Sequence, residues 1–474
     1  MAVHRAAVAS FTHDESYSYM YYPRYPVAEI LEHTDAFTNN HLLNSLGMKV
    51  SEQWFGTSEL ALRAPNLFAL VLFLVHGALF LRALPLVPCV LGYPFLIGNT
   101  YVMEFFTLAR GYGLSFGFMM MAVHHLYKAI TTRQLGHLVL FHLASILASA
   151  ASFALLGTHI AGIITYSIAT GLSIREGGAT WGTLTKGTIV NLAMSALAVA
   201  LLHGPITNVM AQNTLDFGGK GDFYGTTVAT WARSMVPGHP DGSAVFKAVQ
   251  VLIVCVAVGA VAVLVRRYRR GGPGPVPKRT AALFVVTSML LLSCLGAELQ
   301  HLLFGVDRLV QRFALFLVPL FALVFILLAA ELARGRARPV VHLTLGLVAI
   351  HASISFLRGF GPYRSFEWQF DVNNKQAVQA VLHDLEARPL GQAPASVGGN
   401  WIFEPAWNFY QQTGASQVLG RWERDRSLEP ADFRLLLPSD PADMHTGYHE
   451  IARFAESGCI VLRRNVEHHP MAAP

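Results

Sequence analysis

The stretch His13-Asp14-Glu15 sets two adjacent carboxylates beside an imidazole, and the run YSYMYYPRYP that follows supplies Tyr17, Tyr19, Tyr21, Tyr22 and Tyr25. A carboxylate is costly inside a bilayer, but just outside a helix end and among aromatic rings it can meet a lipid head group. Tyrosine rings favour the membrane interface and can stack on sugar faces, although a plain interfacial anchor would use the same residues. Four further polar clusters stand out. TNNHLLNSL holds Asn40 and His41, and LALRAPNLFALVLF places Arg63 just before an apolar run. YVMEFFTLARGYGLSFGFMMM carries Glu104, Arg110 and Tyr112, and VDRLVQRFALFLVPLFALVF carries Arg308 and Arg312.

Residues so distant in sequence act together only if the segments between them bring them to one side. The 474-residue chain is 53% hydrophobic and 14% charged, with 30 phenylalanines, too apolar for an ordinary soluble domain and too long for one core. Mostly apolar runs approaching the span length of about 20 residues occur near 66–84, 86–103, 111–130, 137–153, 155–172, 188–203, 244–265, 280–300, 310–332 and 340–358. The pattern predicts an α-helical polytopic membrane protein of about ten or more transmembrane helices. Lys128 and Arg133, Arg175 and Lys186, the group Arg266, Arg267, Arg269, Arg270, Lys278 and Arg279, and Arg334, Arg336 and Arg338 occupy connections on one side. If that side is cytoplasmic, residues 1–64, 101–110, 204–243 and everything beyond 360 lie outside, with Asp14. The net charge of +6 then follows topology rather than a basic stripe, which argues against nucleic acid as a partner. Abundant Ala, Arg and Gly fit a bacterial inner, or cytoplasmic, membrane. Residues 1–12 are too short to span and lack a signal-peptide core, so a leading helix lost from the chain as written is expected.

Three regions are predicted: a first outer segment over 1–64, a multi-span domain over 65–359 with an outer loop at 204–243, and a small extracytoplasmic α/β domain over 360–474. Leu42, Leu43, Leu46, Val50 and Trp54 fall on one face of a helix suited to the interface plane. Beyond 360, NNKQAVQAVLHDLEAR and HTGYHEIARFAES have helical spacing, whereas ASVGG, FRLLLP and CIVLRR read as strands. SVGGNW lacks the spacing of a phosphate-cradling loop. The four cysteines imply no disulfide framework. His124, His125, His142 and His159 sit within predicted spans and read as hydrogen-bonded packing, while Glu298 near an outer helix end merits attention as a membrane-depth acid.

Together the polar clusters resemble the motifs of the GT-C superfamily of integral-membrane glycosyltransferases, which includes protein O-mannosyltransferases and lipid A aminoarabinose transferases. Asp14 and Glu15 match the acidic pair of the family's first outer loop, and NNHLLNSL followed by LRAPN is similar to its His/Lys-Pro-Pro-Leu and Leu-Arg-x-Pro stretches, with leucines in place of the two prolines. Glu104, Arg110 and Tyr112 loosely match a Glu-x-Arg-x-Tyr region, and RFALFLVPL, from Arg312, matches Arg-Tyr-x-Leu-x-x-x-Pro. The resemblance covers residues 13 to 335. It implies transfer of a sugar from a polyprenyl-phosphate donor to a lipid, glycan or protein acceptor, with inversion and Asp14 as the base, whose loop must be held within reach of the acceptor proton. Glu15 would orient Asp14, bind the acceptor or help hold a cation. Arg312, then Arg110 and His41, would stabilise the departing phosphate, with Asn40, Glu104 and Tyr112 completing the substrate site.

The sequence establishes no cofactor, and a divalent cation, Mg or Mn, near Asp14 is the one candidate. His13, Asp14, Glu15, His33, Asp35 and His41 offer donors, but at spacings that match no zinc pattern. Two other classes use the same architecture: a transporter or lipid flippase without chemistry, and an inactive assembly subunit. Against the transporter, the polar groups gather at one edge and no internal repeat is evident.

Overall fold

A computed structural model of the chain describes residues 1–34, 39–211, 218–270, 276–333, 335–386 and 393–465. Asp35, Arg334 and most of the GGPGPVP linker lie outside the described residues. The chain divides into two compact units. An α/β unit comprises Met1–Pro26, Met48–Arg63 and Gly361–Pro474, and a helical unit comprises Val27–Gly47 and Ala64–Phe360.

Eight of the ten apolar runs fall largely on single helices; 86–103 is divided at Gly98 and Asn99 between Leu86–Ile97 and Thr100–Phe105, and 310–332 becomes helical from Leu317 after a short turn at Gln311–Phe313. Six of these helices are long and apolar enough to cross a membrane: Glu59–Leu81, Phe153–Arg175, Trp181–Ala211, Ala244–Arg269, Lys278–Phe304 and Gly335–Gly359. Leu86–Ile97, Leu135–Ala151 and Leu317–Leu332 are shorter apolar helices, and Gly111–Thr132 is the tenth. The fold is therefore an α-helical polytopic one. Leu317–Leu332, apolar on every face, is buried along nearly its whole length, as such a helix must be inside a bundle. Its one acid, Glu331, is 5% exposed and is met by Arg279 Nε at 3.1 Å and Arg267 at 3.5 Å from two neighbouring helices. The stretch expected as an outer loop from 204 is shorter than that. Trp181–Ala211 carries Pro205 inside a continuing helix, and Ala229–Met235 is helical again. Thr207 spends its hydroxyl on the carbonyls of His203 and Gly204 one turn back, so polar residues extend the helix rather than break it.

In the α/β unit four strands, β1 (Val397–Gly399), β2 (Phe433–Leu436), β3 (Tyr448–Arg453) and β4 (Ile460–Arg464), are arranged in the order β1-β2-β4-β3. β1 runs parallel to β2, and the other pairs are antiparallel. Phe433, Leu435 and Val461 of the central strands join Val378 and Val381 of helix Asn374–Leu385 and the buried Trp407 and Trp422 in one core. Gly399 explains the paired glycines of SVGG. It sits at φ +117°, and a Cβ there would lie 2.3 Å from the Leu435 carbonyl oxygen, so the position serves close strand packing. The stretch HTGYHEIARFAES, expected as a helix, instead holds β3 at its centre with turns on either side. A bulge between Glu450 and Ala452 breaks the strand's two-residue alternation, and the Glu450–Arg453 ion pair mimics a helical one, while pairing to β4 decides the outcome.

The first 25 residues are stitched into this unit rather than forming a region of their own. Arg5 Nε donates to the Gly361 carbonyl at 3.0 Å, Ser10 Oγ to that of Val372 at 3.0 Å, and the Phe11 ring stacks on Phe409 at 4.2 Å.

Candidate active site

In the α/β unit, Thr12 caps helix His13–Tyr21 with a capping box. Its hydroxyl accepts from the Glu15 amide at 3.3 Å, and its own amide donates to Glu15 Oε2 at 3.0 Å. The helix has two faces. Glu15, Ser16, Ser18 and Tyr19 turn inward, with Tyr19 edge-on to Phe409 at 5.5 Å. Asp14, Tyr17 and Tyr21, at i, i+3 and i+7, share the other face, with Asp14 and Tyr17 half-buried and Tyr21 exposed.

The two adjacent carboxylates therefore have different tasks. Glu15 takes both forks of Arg63, Nε and Nη2 each at 2.8 Å, and neither side chain has any exposure. The remaining Arg63 hydrogens go to the carbonyls of Ala6, Ala9 and Ser10 at 2.8 to 3.0 Å. A buried pair is tolerable only when its donors and acceptors are satisfied in this way, and here the pair fixes the turn that carries Asp14. Arg63 stood in the LRAPN cluster, but nothing in the sequence named Glu15 as its partner.

Asp14 occupies the first turn of its helix, where the dipole favours a carboxylate. Around it, the His13 amide donates to Asp371 Oδ2 at 2.7 Å and His13 Nδ1–H to the Ile402 carbonyl at 2.7 Å. Burial, and then the charge of Asp14, push the Glu367 carboxyl up to about 7, and burial holds Asp371 well above the usual carboxylate range. Glu367 and Asp371 carried no motif that singled them out.

The helical unit gathers the cations and aromatics. Arg110, 1% exposed, is the extended residue that precedes helix Gly111–Thr132, and its Cζ lies 5.9 Å from the centre of the Tyr112 ring. The His41 ring meets Tyr112 edge-on at 4.8 Å, Tyr112 meets Phe313 at 6.1 Å, and Arg312 Cζ lies 5.4 Å over Phe313. Burial, then the charges of Arg110 and Arg312, hold His41 well below the usual imidazole range, so its ring is neutral at pH 7. His41 Nε2 is buried and has no hydrogen-bond partner among the described residues. Asn40 is buried too, with Oδ1 accepting from Ser45 Oγ at 2.7 Å. Glu104, 2% exposed, belongs to the short helix Thr100–Phe105.

Two asparagines hold this arrangement in register. Asn66 Oδ1 accepts from the Leu114 amide and its Nδ2 donates to Asn44 Oδ1, both at 3.0 Å, while Asn44 Nδ2 donates to the Ala109 carbonyl at 2.8 Å. Asn44 and Asn66 are the polar remainder of the NNHLLNSL and LRAPN clusters. Gly111 completes the fit, since a Cβ there would lie 2.1 Å from the Ala151 carbonyl oxygen and 2.6 Å from His41 Cβ.

Asn40 and His41 open on a cavity of about 440 Å³ whose walls are largely apolar, among them Phe153, Val209, Phe304 and Phe313. A polar cleft of about 490 Å³, lined by Arg312, Arg233 and Thr230, shares Gly218 and Phe313 with it. Among the described residues no group of three or more His, Cys, Asp or Glu side chains is placed to hold a metal ion, Asp14 and its neighbours included. Arg308, which also lines the cavity, donates to both oxygens of Glu298, at 2.8 and 3.1 Å. Of His124, His125, His142 and His159 in the apolar helices, three are hydrogen-bonded: His142 Nε2 lies 3.0 Å from Asn191 Oδ1, Ser145 Oγ lies 2.6 Å from His159 Nδ1, and His125 Nδ1 lies 3.0 Å from His137 Nδ1, whereas the buried His124 Nδ1 has no hydrogen-bond partner among the described residues.

No protein-family profile and no curated protein matches the chain. Among solved structures, ArnT from Cupriavidus metallidurans bound to undecaprenyl phosphate is similar with a TM-score of 0.46 at 11% identity, over 98% of this chain and 96% of that one. The oligosaccharyltransferase of Archaeoglobus fulgidus is similar in its apo form with a TM-score of 0.47 at 14% identity, over 87% of this chain and 61% of that one. Its complex with Zn and sulfate gives 0.46 at 14%, over 85% and 58%. The chain is similar to ArnT and oligosaccharyltransferase structures over most of its length.

Proposed function

We propose that this protein is an integral-membrane glycosyltransferase that moves a sugar from a polyprenyl-phosphate donor to an acceptor on the extracytoplasmic side of a cell's inner membrane, with inversion. The observation that supports it most is the meeting of Arg110, Arg312 and the neutral, buried His41 around Tyr112 and Phe313, at an apolar cavity next to a polar cleft. A lipid phosphate asks for both surfaces at once. The apolar walls take the prenyl chain and the arginines face the phosphate.

In the reaction, the acceptor's hydroxyl or amine oxygen or nitrogen attacks the anomeric carbon as the bond from that carbon to the phosphate oxygen breaks. The acceptor proton passes to Asp14, and polyprenyl phosphate departs with the electron pair of the broken bond. Negative charge grows on the phosphate as the bond breaks, so fixed guanidinium groups stabilise the transition state more than the bound donor. Glu15 and Arg63 act through position, by holding the turn on which Asp14 stands. Glu367 and Asp371, both held above the usual carboxylate range, lie on the same side of the α/β unit's core as His13 and contribute less negative charge there than ordinary carboxylates would.

Transfer of labelled sugar from a polyprenyl-phosphate carrier, followed with the full chain in membranes, tests this reading. Asp14→Asn is expected to lower kcat by about 10²-fold or more with little change in donor KM, and Arg312→Ala to lower kcat/KM by about 10²-fold. Unchanged transfer by Asp14→Asn removes the base assignment, and absence of transfer by the wild-type chain removes the enzyme.

A further inference from the structure

A second surface of the helical unit combines apolar walls with cations, away from the residues discussed above. A groove of about 610 Å³ runs along helix Ala244–Arg270, lined by Val258, Val261, Val265 and, from helix Lys278–Phe304, Leu291, and it ends at Arg266 and Arg269. Val258, Val261, Val265 and Leu291 are all more than a third exposed, so the trough is open. From Val258 to Arg269 the helix rises roughly 17 Å at about 1.5 Å per residue, close to one leaflet of a hydrocarbon core about 30 Å thick.

The arginines of this helix end divide into two kinds. Arg267 shares the buried Glu331 with Arg279 of the next helix, so it has a carboxylate counterpart within the bundle. Arg266 and Arg269 are exposed, and neither has a carboxylate partner among the described residues. Lys278 and Arg279 open the following helix, so the local field is positive. Two unbalanced guanidinium groups at the end of a leaflet-length apolar trough match one kind of molecule. A neutral lipid would leave both charges without a counterpart, and a free phosphate would leave the trough empty.

We propose that this groove is a binding site for an anionic phospholipid, with an acyl chain along Val258, Val261, Val265 and Leu291 and its phosphate headgroup between Arg266 and Arg269. Two arginines near a membrane surface contribute additively to the attraction of an anionic headgroup. The site is independent of the proposed transfer reaction.

Native mass spectrometry of the full chain in detergent, titrated with phosphatidylglycerol or with phosphatidylcholine of the same acyl chains, reads the site directly. The wild-type chain is expected to retain phosphatidylglycerol about tenfold more strongly, and Arg266→Ala/Arg269→Ala to lose most of that preference. Arg266→Lys/Arg269→Lys, which keeps the charges, is expected to preserve most of it and so separates charge from damage to the fold. Ala262→Trp, which fills the trough from its wall, is expected to lower phosphatidylglycerol retention with both arginines in place. Equal retention of the two lipids by the wild-type chain overturns the proposal, as does an undiminished preference in Arg266→Ala/Arg269→Ala.

Discussion

Two carboxylates adjacent in sequence, Asp14 and Glu15, part company because a helical turn separates neighbours by about 100°. Glu15 is consumed by Arg63, and removing either member leaves a buried charge without its counterpart. Glu15→Ala and Arg63→Ala are each expected to destabilise the α/β unit by about 3–5 kcal/mol, whereas the half-buried Asp14→Asn is expected to leave its thermal unfolding nearly unchanged. Circular dichroism melts of the three variants check the contrast. Glu367 adds a dependence on pH. Its folded-state value near 7 lies above the ordinary carboxylate value, so the folded state binds the extra proton, and its contribution is complete below about pH 4 and lost as pH rises through 7. Stability of the α/β unit is therefore expected to fall between about pH 4 and 7, and Glu367→Gln to flatten that slope in urea titrations at several pH values. The acidic opening was visible as a motif. The division of labour within it was not, since Arg63 lies 48 residues from Glu15 and offers five donors to whatever acceptor the fold supplies.

At the level of elements, the ten apolar runs were legible because a helix in lipid must satisfy its own backbone and cover it with apolar side chains. The end of Trp181–Ala211 and the strand β3 were not, for opposite reasons. In the first, hydroxyls bonding back to the helix carried polar residues past the expected stop; in the second, pairing with β4 overrode a helical spacing. The turn into Gly111–Thr132 shows how an element positions the cations. Gly111→Ala forces a Cβ against Ala151 and His41 and is expected to cost about 1–3 kcal/mol, and Asn66→Ala, which orphans the Leu114 amide and one Asn44 contact, about the same. Thermal melts check the cost, and donor affinity is expected to fall in both because Arg110 and Tyr112 lie on that turn and His41 packs against it.

For the whole molecule, the α/β unit draws on three separated stretches of chain. Residues 361–474 expressed alone would expose the faces of Phe409, Tyr410 and Val372 that Phe11, Tyr19 and Ser10 cover. That fragment is expected to lack a dispersed amide NMR spectrum, and to gain one when fused to residues 1–26 and 48–63. Failure of the fusion to order it would show that the early segments add little to this core.

The sequence by itself determined the polytopic helical class, the composition change near 360 and the motif clusters, because burial in lipid and periodic apolar spacing are local properties of the chain. Only the tertiary structure decided that Glu15 belongs to Arg63, that Arg110, Arg312, Tyr112 and His41 gather in one place, and that the first residues complete a sheet domain formed by the last ones. Pairings across tens to hundreds of residues depend on which surfaces the folded chain brings within a few ångströms, and no residue type or spacing encodes that by itself.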